Sequence, residues 1–329
     1  MMQPIAQRTP PEASTIAGLA TDLTTLFPEK DGFFARRSRK RRTLVLERLR
    51  EVLARAVAPG EVIRFATTCY RYSMVEFYFA GVASYHHNQY ALVVTDRRAL
   101  LLQIHGKKTG QIKNHLALSS IRRVKRGFLG RWTLQLADGS SLALNRIPGA
   151  DRKPLQQVLT GVPGPLVRAP ALEALCPDCL VPVPGKVGAT LTCPSPTCRI
   201  PFRDPARAAR LSGLVPGLGD LYLGHHLFGS IEFLGSMAML GVGIGFVLAE
   251  PIVGAVVAVL FLGIPRAIDF PLTLHMGRKG LVPLAHAPAP GAQPRNLPTF
   301  APWTLILFLA GLALCGFLAY AFMSGGAQP

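Results

Sequence analysis

Tyr90-Ala-Leu-Val-Val-Thr95-Asp96-Arg97-Arg98-Ala-Leu-Leu-Leu102 sets two apolar runs on either side of a four-residue polar turn. Short runs rich in β-branched and aliphatic residues read as strands, and Thr95 and Asp96 can bond nearby backbone N–H groups and so fix the turn between them. Arg97 and Arg98 are open to three uses: solvation, ion pairing within the fold, or contact with a ligand.

Working outward, the same texture fills Glu61 to Arg146. The runs EVIRFATTCYRY (61–72), MVEFYFAGVASY (74–85), YALVVTD (90–96), ALLLQIHG (99–106), LALSSIRRVKR (116–126), WTLQLADG (132–139) and SLALNRI (141–147) are separated by turn residues. Ala137-Asp138-Gly139-Ser140 is a short-range hairpin signal, and His105-Gly106-Lys107-Lys108-Thr109-Gly110 reads as a basic hairpin loop. After Pro148-Gly149 the stretch Ala150 to Thr160 reads as a closing helix. Six or seven strands followed by one helix predict a small curved sheet or open barrel plugged by that helix. The Thr95-Asp96-Arg97-Arg98 turn, the Ile121-Arg122-Arg123-Val124 strand and the Leu134 to Gly139 hairpin together resemble bacterial pleckstrin-homology-like domains over residues 60–162. That resemblance implies a small β-barrel-like (PH-like) fold.

Upstream, residues 1–34 read as a flexible N-terminus or a single short helix, and a basic amphipathic helix is expected within 35–59, ended by Pro59-Gly60. It opens on a cationic run: Arg36, Arg37, Arg39, Lys40, Arg41 and Arg42. The first residues, MMQPIAQRTPPEAS, lack a basic stretch followed by an apolar run and a small-residue cleavage site, so the basic half is expected to stay in the cytosol. Residues 1–210 hold 32 Lys or Arg against 14 Asp or Glu, whereas 211–329 hold four of each, so the whole net charge of +18 lies in the first part. Such a surface suits an anionic partner, lipid headgroups or nucleic acid, although basic residues beside membrane helices can also serve only to set topology.

Downstream of a linker at 163–174, two tight cysteine pairs, Cys176-Pro-Asp-Cys179 and Cys193-Pro-Ser-Pro-Thr-Cys198, mark residues 175–203 as a zinc ribbon. Four thiolates on two knuckles match tetrahedral Zn²⁺, and a four-cysteine site leaves no open position for water, so the metal is expected to be structural. Four free thiols or a redox role are the alternatives, the latter without the βαβ surroundings that a thioredoxin-type motif has.

The last third carries the expected membrane part. Leu227 to Ala249 and Ile252 to Leu274 are two segments of about 23 largely apolar residues meeting at Glu250-Pro251, and Trp303 to Met323 is a third. Within 208–275 they form a short entry helix plus a hairpin, followed by a loop (276–300) with Arg278, Lys279 and Arg295, and a last helix at 301–323. The Lys/Arg bias puts that loop and the N-terminal half in the cytosol and the C-terminus outside the cytoplasmic membrane. Pro216-Gly-Leu-Gly219-Asp220-Leu-Tyr222-Leu-Gly224 with Gly229 and Ile268-Asp269-Phe270 resembles the small two-transmembrane-helix domain family, with Asp220 standing between the glycines and Tyr222. At ~1.5 Å per residue Glu232 and Arg266 reach nearly the same depth on antiparallel helices, which predicts that they pair, with Asp269 one turn from Arg266; the alternative is that they snorkel separately to the cytosolic interface.

The expected architecture is thus a multidomain membrane protein: a PH-like β domain with a closing helix, a zinc ribbon, then an α-helical transmembrane region. No nucleophile with a base, phosphate-cradling loop or open metal site is visible, which predicts a non-catalytic binding or scaffold module. Its candidate lipid or partner surface is Arg36 to Arg42 with Lys107, Lys108, Arg122, Arg123, Lys125, Arg126 and Arg131. Nucleic-acid binding is the rival reading, weakened by a ribbon with Lys186 as its one basic residue between Cys179 and Cys193 and no aromatic there. A small oligomeric transporter using Glu232 or Asp269 is the third. The ligand, protein partner and oligomeric state are not written in the sequence.

Overall fold

The computed structural model describes residues 14–28, 32–73, 76, 88–105, 108–127, 130–160, 172–286, 295–296 and 303–325. The chain divides into two compact units, Met1–Leu175 and Cys176–Pro329.

The first unit is a mixed sheet, a second smaller sheet and two long helices. Strands β1 (Ser14–Ile16) and β2 (Leu19–Thr21) form a hairpin whose two turn residues, Ala17 and Gly18, both have positive φ, the geometry that suits a two-residue turn between twisted strands. Asp22 then caps the short helix α1 (Leu23–Leu26). Residues 14–26, expected as flexible chain or one helix, are therefore partly sheet. β2 runs parallel to β3 (Ile63–Tyr70), and from there the sheet is antiparallel: β3, β4 (Gln89–Thr95), β5 (Arg98–His105) and β6 (Lys108–Ala117). A strand falls inside the expected linker too, since β10 (Leu172–Leu175) pairs with β6. The run at 74–85 lies outside the described residues apart from Glu76.

A 3₁₀ turn at Leu118–Ser120 leads into the second sheet, β7 (Ile121–Arg126), β8 (Trp132–Leu136) and β9 (Ser141–Leu144), whose hairpin is the expected one at Gly139. One core lies between the sheets: Phe65, Leu92, Val94, Leu101 and Leu116 meet Trp132, Leu134, Leu142 and Leu144. Helix α3 (Gly149–Thr160) closes it with Leu155, Val158 and Leu159. The bridge Tyr70 to Asn145 ties the two sheets at one corner.

Helix α2 (Phe33–Ala56) spans the expected basic segment, but its inner face is not purely apolar. Arg42 is fully buried, with its guanidinium 4.5 Å from the Phe65 ring centre. It donates to Asp151 of α3 through Nε (3.2 Å) and Nη2 (2.7 Å) and to the Leu26 carbonyl (2.7 Å). Asp151, also fully buried, accepts from Arg41, Ser38 and Thr67 as well. A second buried acid, Glu61, takes two bonds from Arg98, at 3.0 and 2.9 Å, while Arg98 also reaches the Ala56 carbonyl at the end of α2. Thr95 joins Glu61, and Asp96 accepts from the Val62 N–H. Three of the four turn residues thus hold the fold together, and Arg97 alone is mostly exposed, at 63%.

In the second unit a small strand, β11 (Pro182–Val183), and the two cysteine loops precede α4 (Pro205–Leu214), which starts at Pro205 with Asp204 as its cap. Next come α5 (Leu218–Leu223), α6 (His226–Ala249) and α7 (Pro251–Ala258), then a π-helical turn (Val259–Gly263), α8 (Ile264–Gly277) and α9 (Trp303–Gly325). Among the described residues two helices, α6 and α9, are long and apolar enough to cross a membrane. The second expected span is instead divided between α7 and α8. Pro265, which has no N–H to give the preceding turn, stands just after the π-helical residues. Glycines set the closeness of packing: a Cβ at Gly241 would lie 2.4 Å from the Cys315 carbonyl oxygen, and one at Gly217 2.4 Å from that of Gly229.

Candidate metal centre and charged sites

The cysteine knuckles are built alike. In the first, Cys176 N–H bonds the Val181 carbonyl and Leu180 N–H bonds that of Cys176; in the second, Cys193 N–H bonds the Ile200 carbonyl and Cys198 and Arg199 N–H groups share that of Ser195. The residue after each second cysteine, Leu180 (φ 60°) and Arg199 (φ 46°), takes the left-handed conformation that folds the loop back. All four sulfurs lie within 4.8 Å of one another, with Cys176 Sγ 3.8 Å from Cys198 Sγ and Cys179 Sγ 3.4 Å from Cys193 Sγ. A tetrahedral ion with thiolates at ~2.3 Å requires sulfurs about 3.8 Å apart, so this donor set fits a metal ion. Residues 201–203 pair with 282–284, through Leu284 N–H to the Pro201 carbonyl and Arg203 N–H to that of Val282, which ties the second knuckle to the segment following α8.

The three acidic residues Asp220, Glu232 and Asp269 come together from α5, α6 and α8, with carboxylate oxygens within 4.8 Å. Asp220 Oδ1 is 2.9 Å from His225 Nδ1. Asp269 accepts from Gly217 N–H (3.2 Å) and from Thr273 Oγ1 (3.2 Å), which also contacts Ser212. Glu232 Oε2 is buried without a hydrogen-bond partner among the described residues. This overturns the expected Glu232–Arg266 pair. Arg266 Nε instead donates to the Leu214 carbonyl at the end of α4, and Glu232 faces two acids. Equal depth placed the residues at one level but said nothing of azimuth, and Asp269 of α8, three residues after Arg266, is the one that meets Glu232. Three carboxylates so close can persist by sharing protons or by holding a hard cation.

The candidate cationic surface separates into parts. Arg36, Arg37 and Lys40 are exposed, Arg39 and Arg41 half-buried, and Arg42 is internal, which removes it from any docking surface. Arg122, Arg123, Lys125 and Arg126 are all exposed on β7, because a register shift between Ile121 and Arg123 breaks the strict alternation and lets adjacent arginines face solvent. Arg126 stacks over Trp132 and bonds Gln156; Arg131 is exposed nearby. Lys107 lies outside the described residues, as does the side chain of Lys108.

Asp151 and Asp220 escaped the sequence reading as site residues. The signal for Asp220 was available, an acid inside the apolar stretch Leu218 to Leu223, whereas nothing local marks Asp151 as the counterion of an arginine over a hundred positions away. Compared with known proteins, the chain matches no family model and no curated sequence.

Proposed function

We propose that the chain is a membrane-anchored, non-catalytic binding module that presents its basic β unit at the cytosolic face of the cytoplasmic membrane, where it recognises an anionic partner. The observation that carries the reading is the division of surface chemistry between the units. Residues 1–175 hold 27 Lys or Arg against 12 Asp or Glu, which is +15 of the net +18, while the helices of the second unit leave Leu227, Ile231, Ile252, Leu305, Ile306 and Phe317 at 59% exposure or more. Apolar surface of that extent is covered by a bilayer or a partner, and a length sufficient to span favours the bilayer. On this reading the loop after α8 is cytosolic and the C-terminus lies outside.

The fold of the first unit is read as PH-like, a sheet core closed by α3. The four-cysteine centre is read as structural Zn²⁺, held by Cys176, Cys179, Cys193 and Cys198. Its chemistry there is to fix the loop fold, since the four thiolates fill the tetrahedron.

The first unit has a core of its own, so residues 1–175 can be tested alone by flotation with vesicles. Binding to vesicles containing phosphatidylglycerol that fades with salt is the expected result. No flotation with vesicles of any charge would refute headgroup recognition and shift the reading to a protein partner.

A further inference from the structure

The first three turns of α2 present an exposed basic stripe with apolar side chains at its ends. Phe33 and Leu44 are 75% and 54% exposed, and Arg36, Arg37 and Lys40 are exposed between them. At 3.6 residues per turn these five residues fall within an arc of about 100°, along roughly 16 Å of helix. No acidic residue occurs from 33 to 46; Glu47 and Glu51 begin where the stripe ends.

Opposite the stripe, Ala35, Ser38, Arg42, Val45, Leu46 and Leu49 are buried, and the Asp151 bonds to Ser38, Arg41 and Arg42 fix the roll of the helix. The stripe is therefore oriented and ordered before it meets anything, and docking it costs no folding entropy.

We propose that this stripe lies on the anionic lipid leaflet, as a peripheral contact additional to the spanning helices. The inference rests on the anchoring reading above. Cations at the headgroup level with apolar side chains at either end match the chemistry of an acidic bilayer surface, whereas phosphates of a nucleic acid would leave Leu44 without a use. Each Lys or Arg near such a surface contributes about a factor of five to occupancy, so the three together contribute on the order of a hundredfold. Tethering by the second unit keeps the local concentration high, so that even a weak contact is occupied.

The test uses the full chain in lipid nanodiscs with brominated acyl chains, with Leu44→Trp as reporter. Quenching is read as the excess over the unsubstituted chain, whose tryptophans are Trp132, buried in the β unit, and Trp303, at the start of α9. The expected result is excess quenching in discs containing phosphatidylglycerol, reduced at least tenfold in apparent occupancy by Arg36→Glu/Arg37→Glu/Lys40→Glu and unchanged by Arg50→Glu. No excess quenching in anionic discs, or equal quenching in neutral ones, overturns the proposal while Trp303 quenching upholds anchoring. A chain that fails to enter discs, with Trp303 unquenched, overturns the anchoring reading and this inference with it.

Discussion

Asp151→Ala removes the counterion of a buried arginine and is the sharpest test of how the first unit is held together. Asp151 and Arg42 are both fully enclosed, and the carboxylate takes bonds from Ser38, Arg41, Arg42 and Thr67. Without it Arg42 keeps the Leu26 carbonyl and the Phe65 ring but remains a charge in the interior. Breaking one partner of a buried pair costs about 3–5 kcal/mol, a large share of the ~5–15 kcal/mol that holds a domain folded. For a unit of this size that corresponds to a fall in Tm of roughly 6–20 °C. Urea unfolding followed by Trp132 fluorescence in residues 1–175, where it is the sole tryptophan, gives the number directly. Arg41→Ala, at a side chain 34% exposed, should cost under about 1 kcal/mol. The paired change Arg42→Met/Asp151→Leu should recover much of the loss, since it leaves no charge to strand. A cost below about 1 kcal/mol for Asp151→Ala would refute the reasoning.

Further outcomes are expected elsewhere. Purified chain should carry one tightly bound metal ion, and Cys193→Ser should abolish it; metal analysis finding none in the intact protein would count against the centre. His115 should make the first unit less stable as pH falls. Burial holds its imidazole below the usual value of 6.5 against the pull of Glu173 at 2.9 Å, and Nδ1 is buried without an acceptor for a second proton among the described residues. The unfolded chain therefore takes up the proton first, so this stability is complete above about pH 6.5 and declines as pH drops through 6.5 to the lower folded value. A His115→Asn variant whose urea midpoint falls just as steeply over that window would contradict the assignment. In the second unit, Glu232→Gln keeps a neutral side chain with a donor beside Asp220 and Asp269, as a shared proton does, and should change stability in detergent by less than about 1 kcal/mol. A clear loss of stability there would mean that the third negative charge is needed.

What could be read in the sequence was what repeats locally. Alternation and turn chemistry located β4, β5, β8 and β9, helical spacing located α2, and the paired cysteines announced their cluster through spacing alone. The contacts made across long separations were not legible. The cationic run of α2 reads as uniformly solvated, yet its last arginine is a core residue because Asp151 waits on α3 to neutralise it. β1, β2 and β10 are three or four residues long and take their form from neighbours already in the sheet, so propensity gives them no voice. Glu232 and Asp269 were singled out correctly as polar residues among apolar ones, but their partner was wrong. Depth along a helix follows from counting, whereas the facing side depends on the π-helical turn at 259–263 and on the glycine contacts at 217 and 229.

Membrane anchoring is the claim on which the functional account stands, and alkaline carbonate extraction of membranes from cells producing the full chain tests it most directly. The account predicts that the protein stays in the pellet at high pH and is released only by detergent. Recovery in the carbonate supernatant would contradict it, and would mean that the exposed faces of α6 and α9 are covered by protein.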